Sequence, residues 1–87
     1  MANFVFATQS YAQRTEITIK VTEMPLIEVL DMIESKTDFH FFVNNKLIDL
    51  NRLVTVDMEK KNVFDILDRI FKGSNIAYKV VDKDIIL

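Results

Sequence analysis

The segment "ITIKVTEMPLIEVLDMIESKTDFHFFV" at residues 17–43 is the most informative part of the sequence, because "VTVDMEKKNVFDILDRIFKGSNIAYKV" at 54–80 repeats its pattern. The two stretches align without a gap at an offset of 37 residues, and most apolar positions correspond. Agreement of the apolar pattern at a fixed offset indicates a structural repeat. Five aligned pairs are identical: Thr18/Thr55, Leu30/Leu67, Asp31/Asp68, Ile33/Ile70 and Val43/Val80.

The first repeat is predicted to form a strand, a helix and a strand. "EITIKV" at 16–21 alternates apolar and polar residues, which is typical of a half-buried strand. Pro25 suits the first helical position, with Thr22 or Glu23 as the cap. "FHFFV" at 39–43 alternates again. Between the strands, apolar residues recur at helical spacing: Leu26, Val29, Leu30 and Ile33.

The second repeat has the same order, with strands at 54–58 and 76–80. Asn62 is the expected helix cap, and Gly73 ends the helix where a positive φ is favoured. "DKD" at 82–84 predicts a hairpin turn before a last strand, "IIL". The predicted class is therefore α+β, with two βαβ repeats plus a C-terminal strand. The helical stripe consists of Val63, Ile66, Leu67 and Ile70.

Both helices carry apolar arcs that are wider than a helix on one face of a single sheet needs. Ile27 and Met32 widen the first arc, and Phe64 and Phe71 widen the second. We therefore expect each helix to be buried on two sides. The predicted core is Ile19, Leu26, Val29, Leu30, Ile33, Phe41, Val56, Val63, Ile66, Leu67, Ile70 and Tyr78.

Composition restricts the class of protein. A chain of 87 residues with 49% apolar and 28% charged residues predicts one globular domain. The net charge of −2 and the lack of a basic run argue against a nucleic-acid partner. The absence of Cys excludes disulfides and thiolate metal sites.

Three segments carry a family resemblance: "PLIEVLDMIESKTDFHFFVN", "LIDLNRLVTVDME" and "VFDILDRIFKGSNIAYKV". They resemble the STN domain, the short N-terminal domain of secretins and TonB-dependent receptors. The version most similar to this chain is that of Bacteroidetes outer-membrane nutrient receptors of the starch-utilisation (SusC/RagA) type. The resemblance covers roughly residues 15–87. It implies two βαβ units whose two helices pack between two small sheets.

The resemblance also implies a location and a role. Such a domain lies in the periplasm of a Gram-negative cell, as part of an outer-membrane protein with a plug and a barrel. It passes a signal to the periplasmic domain of an inner-membrane anti-sigma regulator. The family has no catalytic motif. In secretins a related domain helps to build the periplasmic ring.

The expected domain spans residues 14–87, with repeat one at 16–43, a connector at 44–53 and repeat two at 54–87. Residues 1–13 are expected to be a signal-peptide remnant or a disordered lead. "SYA" at 10–12 resembles the small-x-small end of an export signal. The alternative is that residues 4–6 form an edge strand of the domain.

No residue pattern predicts an enzyme, a cofactor or a metal site. His40 is the only histidine and has no other ligand at a useful spacing. The acidic residues at helical spacing are predicted to form solvated faces, because acid–base catalysis needs a cleft and unequal environments. They are Glu28, Asp31, Glu34, Asp65 and Asp68.

His40 and Phe42 are the predicted protein-binding residues. Both alternate with inward-facing Phe39 and Phe41, so both should point outward from a short strand. An exposed aromatic beside a polar residue is typical of a protein interface. The alternative is that Phe42 packs beneath the connector or against the other sheet.

Three functions fit these observations. The first is a receptor domain that binds an anti-sigma regulator, and the second is an oligomerising module of a secretin-like assembly. The third is the C-terminal domain of the regulator itself, which can show a similar repeat. For the first we expect a monomer in isolation, with no direct membrane insertion of this domain.

Overall fold

The computed structural model describes residues 15–44 and 46–87, in which two helices and five strands occur. The elements are β1 (Glu16–Pro25), α1 (Leu26–Lys36), β2 (His40–Phe42), β3 (Leu53–Asn62), α2 (Val63–Phe71), β4 (Lys79–Val81) and β5 (Asp84–Ile86). Strands β1 and β3 pair antiparallel in a two-stranded sheet. In a three-stranded sheet, β5 lies between a parallel β2 and an antiparallel β4. The predicted α+β class, with two helices and two small sheets, is confirmed.

The predictions for residues 1–13 lie outside the described residues. Within the described part, the two strands of each predicted βαβ unit belong to different sheets. Strands β1 and β3 extend beyond the predicted 16–21 and 54–58, and β4 is shorter than the predicted 76–80. The turn predicted at 82–84 is confirmed, since Val81 pairs with Asp84 across a two-residue turn.

The register of β1 against β3 follows the repeat. Lys20 pairs with Asp57, which is its own equivalent at the offset of 37 residues. The two-stranded sheet is therefore arranged about a pseudo-twofold axis that passes near this pair. Two further pairs exchange under the same offset: Ile19–Met58 and Val21–Val56.

Two irregularities in this sheet are also related by the repeat. Thr18 Oγ1 accepts a hydrogen bond from the backbone N–H of Lys60 at 3.1 Å, and Thr55 Oγ1 accepts one from Glu23 at 2.9 Å. Glu23 and Lys60 both have positive φ, at 49° and 53°. The register shifts along β1 at two places, as in β-bulges. In each strand, the threonine at the equivalent position of the repeat thus holds the irregular residue of the neighbouring strand.

The N-terminus of α1 is capped by the connector. Leu26 N–H donates to the carbonyl of Arg52 at 2.8 Å, and Ile27 N–H donates to that of Leu50 at 3.0 Å. Pro25 occupies the N-cap position, and no side chain caps the helix. The predicted placement of Pro25 and the predicted side-chain cap were therefore wrong, because backbone carbonyls distant in sequence satisfy the first helical N–H groups.

The ends of α2 agree with prediction. The Asn62 side chain accepts a hydrogen bond from Asp65 N–H at 2.9 Å. The helix ends at Phe71, and Gly73 has φ of 81°. Near this end Arg52 Nη2 donates to the carbonyl of Ile70 at 3.4 Å, which places a cation at the negative end of the helix dipole.

One hydrophobic core joins both repeats. Strands of both sheets contact α1, and ten of the twelve predicted core residues are buried. Phe41 and Tyr78 are half-buried instead, because Phe41 lies on a short edge strand and Tyr78 directs its hydroxyl to an exposed carboxylate. Additional buried residues are Ile17, Val21, Phe39, Ile48, Val54, Phe71 and Ile85.

Candidate protein-binding site

The two predicted binding residues lie on β2, at an edge of the three-stranded sheet. Phe39 is buried, Phe41 is half-buried, and His40 is exposed. The side chain of Phe42 is 54% exposed. The outward orientation predicted from the alternation is therefore observed, and Phe42 is not covered by the connector or the other sheet.

Hydrogen bonds with the β4–β5 hairpin fix the orientation of β2. His40 N–H donates to the carbonyl of Lys83 at 2.9 Å, and the carbonyl of Phe42 accepts from Leu87 N–H at 2.9 Å. The backbone of these two residues thus faces β5. The N–H of Phe41, between them, points to the free edge of the strand.

A carboxylate covers this free edge. Glu34 Oε2 on α1 accepts a hydrogen bond from Phe41 N–H at 2.6 Å. Glu34 is half-buried, so the prediction that it belongs to a solvated acidic face was wrong. No sequence pattern indicated this contact. Glu34 and Phe41 are seven residues apart, and they meet only because the chain turns back between the helix and the strand.

Three further side chains surround Phe42 on the same face of the sheet. The register aligns Phe42 with Ile86 and Ile86 with Lys79, and Val81 lies on the same side two residues from Lys79. Ile86 is 42% exposed and Val81 is 44% exposed. Sequence reasoning missed both residues, since their proximity to Phe42 depends on the pairing of distant strands.

A different contact ties the second repeat to its helix. Tyr78 O–H donates to Asp68 Oδ1 at 2.9 Å, and the Tyr78 ring lies 6.1 Å from that of Phe64. Burial, then the hydrogen bond to Asp68 and the charges of Asp68 and Asp65, raises the pKa of Tyr78 to about 12. The phenol therefore stays protonated as a donor at neutral pH.

A shallow concavity of about 400 Å³ lies between the start of α1 and the connector, lined by Ile27, Ile48 and residues 49–51. Across residues 15–44 and 46–87, no polar or charged residue is buried. The same residues contain no group of three His, Cys, Asp or Glu that could hold a metal ion.

Residues 39–87 match the family model of the secretin and TonB N terminus short domain, STN. The matched segment is more than half of the chain. The chain belongs to the STN family. No curated protein and no solved structure gives a significant match. STN domains are periplasmic in envelope proteins and are associated with TonB-dependent receptors and secretins.

The matched segment of this STN domain contains the whole of the three-stranded sheet, including His40 and Phe42. Strand β1 and helix α1 precede the match, but their apolar residues belong to the same core. The folded unit is therefore longer than the matched segment. Neither helix of the described chain has the length and apolarity that a membrane crossing requires.

Proposed function

We propose that this STN domain is the periplasmic signalling domain of a TonB-dependent outer-membrane nutrient receptor. In this proposal it binds the periplasmic domain of an anti-sigma regulator and so couples transport to transcription. The family membership supports the receptor context, because STN domains occur in TonB-dependent receptors. The resemblance to receptors of the starch-utilisation type supports the finer assignment.

The observation that carries the binding role is the exposed aromatic on β2. Phe42 is 54% exposed beside an exposed His40, on a strand that is otherwise fixed by backbone hydrogen bonds. Exposing a large aromatic ring to water contributes nothing to the stability of an isolated domain. Burial of that ring against a partner would recover the hydrophobic free energy, and aromatics are enriched in interfaces for this reason.

In this proposal the domain is a binding module and not an enzyme, and it uses no cofactor. Its partners are the regulator domain and the plug and barrel of its own receptor, and it is monomeric when isolated. The net charge of −2 supports the absence of a nucleic-acid partner.

The test is calorimetric titration of the 87-residue chain with the periplasmic domain of the anti-sigma regulator encoded beside the receptor gene. We expect saturable binding by the parent and a loss of at least tenfold in affinity for the double variant His40→Ala, Phe42→Ser. Leu47→Ser is the matched control, since Leu47 is 81% exposed but lies in the connector. Circular dichroism checks that each variant is folded.

Two results contradict the proposed role, and a third contradicts only the proposed site. A parent chain that does not bind the regulator domain would remove the signalling role. A closed ring in analytical ultracentrifugation would favour the secretin-like alternative. Unchanged affinity in a folded double variant would remove the site but leave the role.

A further inference from the structure

Phe42 belongs to an exposed surface that spans all three strands of the mixed sheet. Side chains of registered residues lie on the same side of a sheet, and successive residues alternate. Phe41, Ile85 and Val80 therefore share the inner side, where Ile85 is fully buried. The opposite side, here called the outer face, carries His40, Phe42, Lys79, Val81, Asp84 and Ile86.

Apolar side chains form the centre of the outer face. Phe42 and Ile86 are direct neighbours, and Val81 is a diagonal neighbour of Ile86 across the β4–β5 pair. All three are more than 40% exposed. A partner that covers Phe42 therefore meets two further apolar side chains from two other strands.

Addition of a partner strand to β2 would cost an existing hydrogen bond. Strand addition needs unpaired backbone groups at the edge. The outward N–H of Phe41 is already bonded to the Glu34 carboxylate at 2.6 Å. An incoming strand would have to displace this charge-assisted hydrogen bond and leave a half-buried carboxylate without its donor.

The opposite edge, at β4, does not bring a partner strand to Phe42. Strand β5 lies between β2 and β4, so two interstrand spacings, about 10 Å, separate Phe42 from β4. A strand paired with β4 would lie farther away still. Contact with Phe42 therefore requires a partner above the outer face and not beside either edge.

The charges of the outer face indicate the chemistry of the partner. Lys79 is exposed, adjoins Ile86, and forms no ion pair with another residue of the described chain. It can receive a carboxylate next to the apolar centre. Six side chains suit the small interface of a transient signalling contact better than that of a stable dimer, which buries about 800 Å² and 20–30 residues on each side.

We propose that the regulator's periplasmic domain packs an amphipathic element on this outer face. Its apolar side chains cover Phe42, Ile86 and Val81, and one of its carboxylates pairs with Lys79. This inference rests on the proposed function and specifies its mode of binding. The contact is made by side chains, and neither sheet edge is extended.

The first set of variants tests the face by calorimetric titration with the same regulator domain. Val81→Thr with Ile86→Thr keeps β-branched residues in both strands, and we expect at least tenfold weaker binding. Lys79→Glu should weaken binding at least tenfold and reduce its salt dependence. Leu53→Thr is the matched control, because Leu53 is 58% exposed on a strand of the other sheet, and its affinity should stay within twofold of the parent.

A second set tests the edges. Glu34→Ala frees the Phe41 N–H. Val80→Pro removes an N–H from the free edge of β4. Val81 forms the pair that closes the turn, so its backbone faces β5 and the backbone of the adjacent Val80 faces away from β5. We expect both to bind within twofold of the parent, with thermal melting as the check on folding. Where Glu34→Ala does not fold, Glu34→Met replaces it, since methionine keeps the length of the side chain and has no oxygen to accept the Phe41 N–H.

The outcomes distinguish failure of the proposed function from failure of the outer-face mode of binding. No binding by the parent would remove the proposed function, and this inference with it. Parent-like binding by the Val81/Ile86 variant or by Lys79→Glu would overturn the outer-face mode alone. Tighter binding by Glu34→Ala, or loss of binding by Val80→Pro, would show strand addition instead. Concentration-dependent dimerisation that the Val81/Ile86 variant abolishes would assign the face to a second copy.

Discussion

At the residue scale, the identity of Thr18 and Thr55 in the two repeats has a structural reason. Each hydroxyl accepts the N–H of a positive-φ residue on the opposite strand, Lys60 or Glu23. Residues other than Gly rarely adopt this conformation, so a cross-strand hydrogen bond helps to hold it. The repeat therefore preserves a hydroxyl at a position where strand propensity alone would equally accept valine.

We predict that Thr18→Val and Thr55→Val each lower the free energy of unfolding by about 1 kcal/mol, the usual net contribution of one hydrogen bond. Thr22→Val is the control, because Thr22 is exposed on β1 and its hydroxyl bonds no other described residue. Its effect should be within about 0.5 kcal/mol. Urea denaturation measures all three, and equal values for the three variants would contradict the role of the hydroxyls.

Tyr78 gives a prediction for alkaline pH. Burial and the Asp68 interaction raise the pKa of Tyr78 from 10.0 to about 12 in the folded state. A raised pKa means that the folded protein holds the proton more tightly than the unfolded one, so the stabilisation is full below about pH 10 and is lost as the pH rises to 12. We expect the melting temperature to fall more steeply across this window in the parent than in Tyr78→Phe.

Ultraviolet absorbance of tyrosinate provides the second measurement for Tyr78. The parent should show an ionisation near pH 12 that Tyr78→Phe lacks, while the signal of Tyr11 remains in both. The same alkaline titration in parent and variant would contradict the raised pKa.

At the element scale, the β4–β5 hairpin depends on its turn. The turn residues are Asp82 and Lys83, and of these only Asp82 has a positive φ, of 55°. A positive φ at the first position only is characteristic of a type II′ turn, where glycine is preferred. The hairpin aligns Val81 and Ile86 on the outer face, so the geometry of its turn affects the proposed binding surface.

We predict that Asp82→Gly raises the free energy of unfolding by about 0.5 kcal/mol and that Asp82→Ala lowers it by about 1 kcal/mol, because alanine is penalised in the left-handed region. Chemical denaturation of the parent, Asp82→Gly and Asp82→Ala measures the three free energies of unfolding. A stability that is the same for alanine and glycine would show that the turn does not constrain φ at this position.

At the scale of the whole molecule, the two repeats share one core, and Leu30 and Leu67 occupy equivalent positions in it. They are 2% and 0% exposed. Each lies on the buried side of its helix. Neither repeat has a hydrophobic core of its own, so damage to one repeat should unfold both.

We predict that Leu30→Ala and Leu67→Ala each cost 2–5 kcal/mol, about the range for buried leucine. That is a large part of the total stability of a small domain. Leu47→Ala, at an 81% exposed leucine, should change stability by less than about 0.5 kcal/mol. Thermal unfolding in a single transition is expected for all variants, and two separate transitions would show that the repeats fold independently.

The local elements could be predicted from the pattern of residues alone. Periods of two and 3.6 residues predicted the strands and helices, because these periods reflect which side chains a strand or helix directs to the core. Asn62 and Gly73 marked the ends of α2, and "DKD" marked the hairpin, since their chemistry acts on neighbouring backbone groups. The exposure of His40 and Phe42 followed from the alternation on β2 alone.

Which of these elements meet depends on the tertiary fold. An apolar pattern specifies which side of a strand is buried. It does not specify the partner strand, because the backbone of any strand offers the same hydrogen-bonding groups. The pairing of β2 with β5 could therefore not be predicted from the pattern. For the same reason the carbonyls of Leu50 and Arg52 that cap α1, and the Glu34 carboxylate that closes the edge of β2, were missed. These contacts join residues that are distant in sequence. They form because one core joins both helices and both sheets.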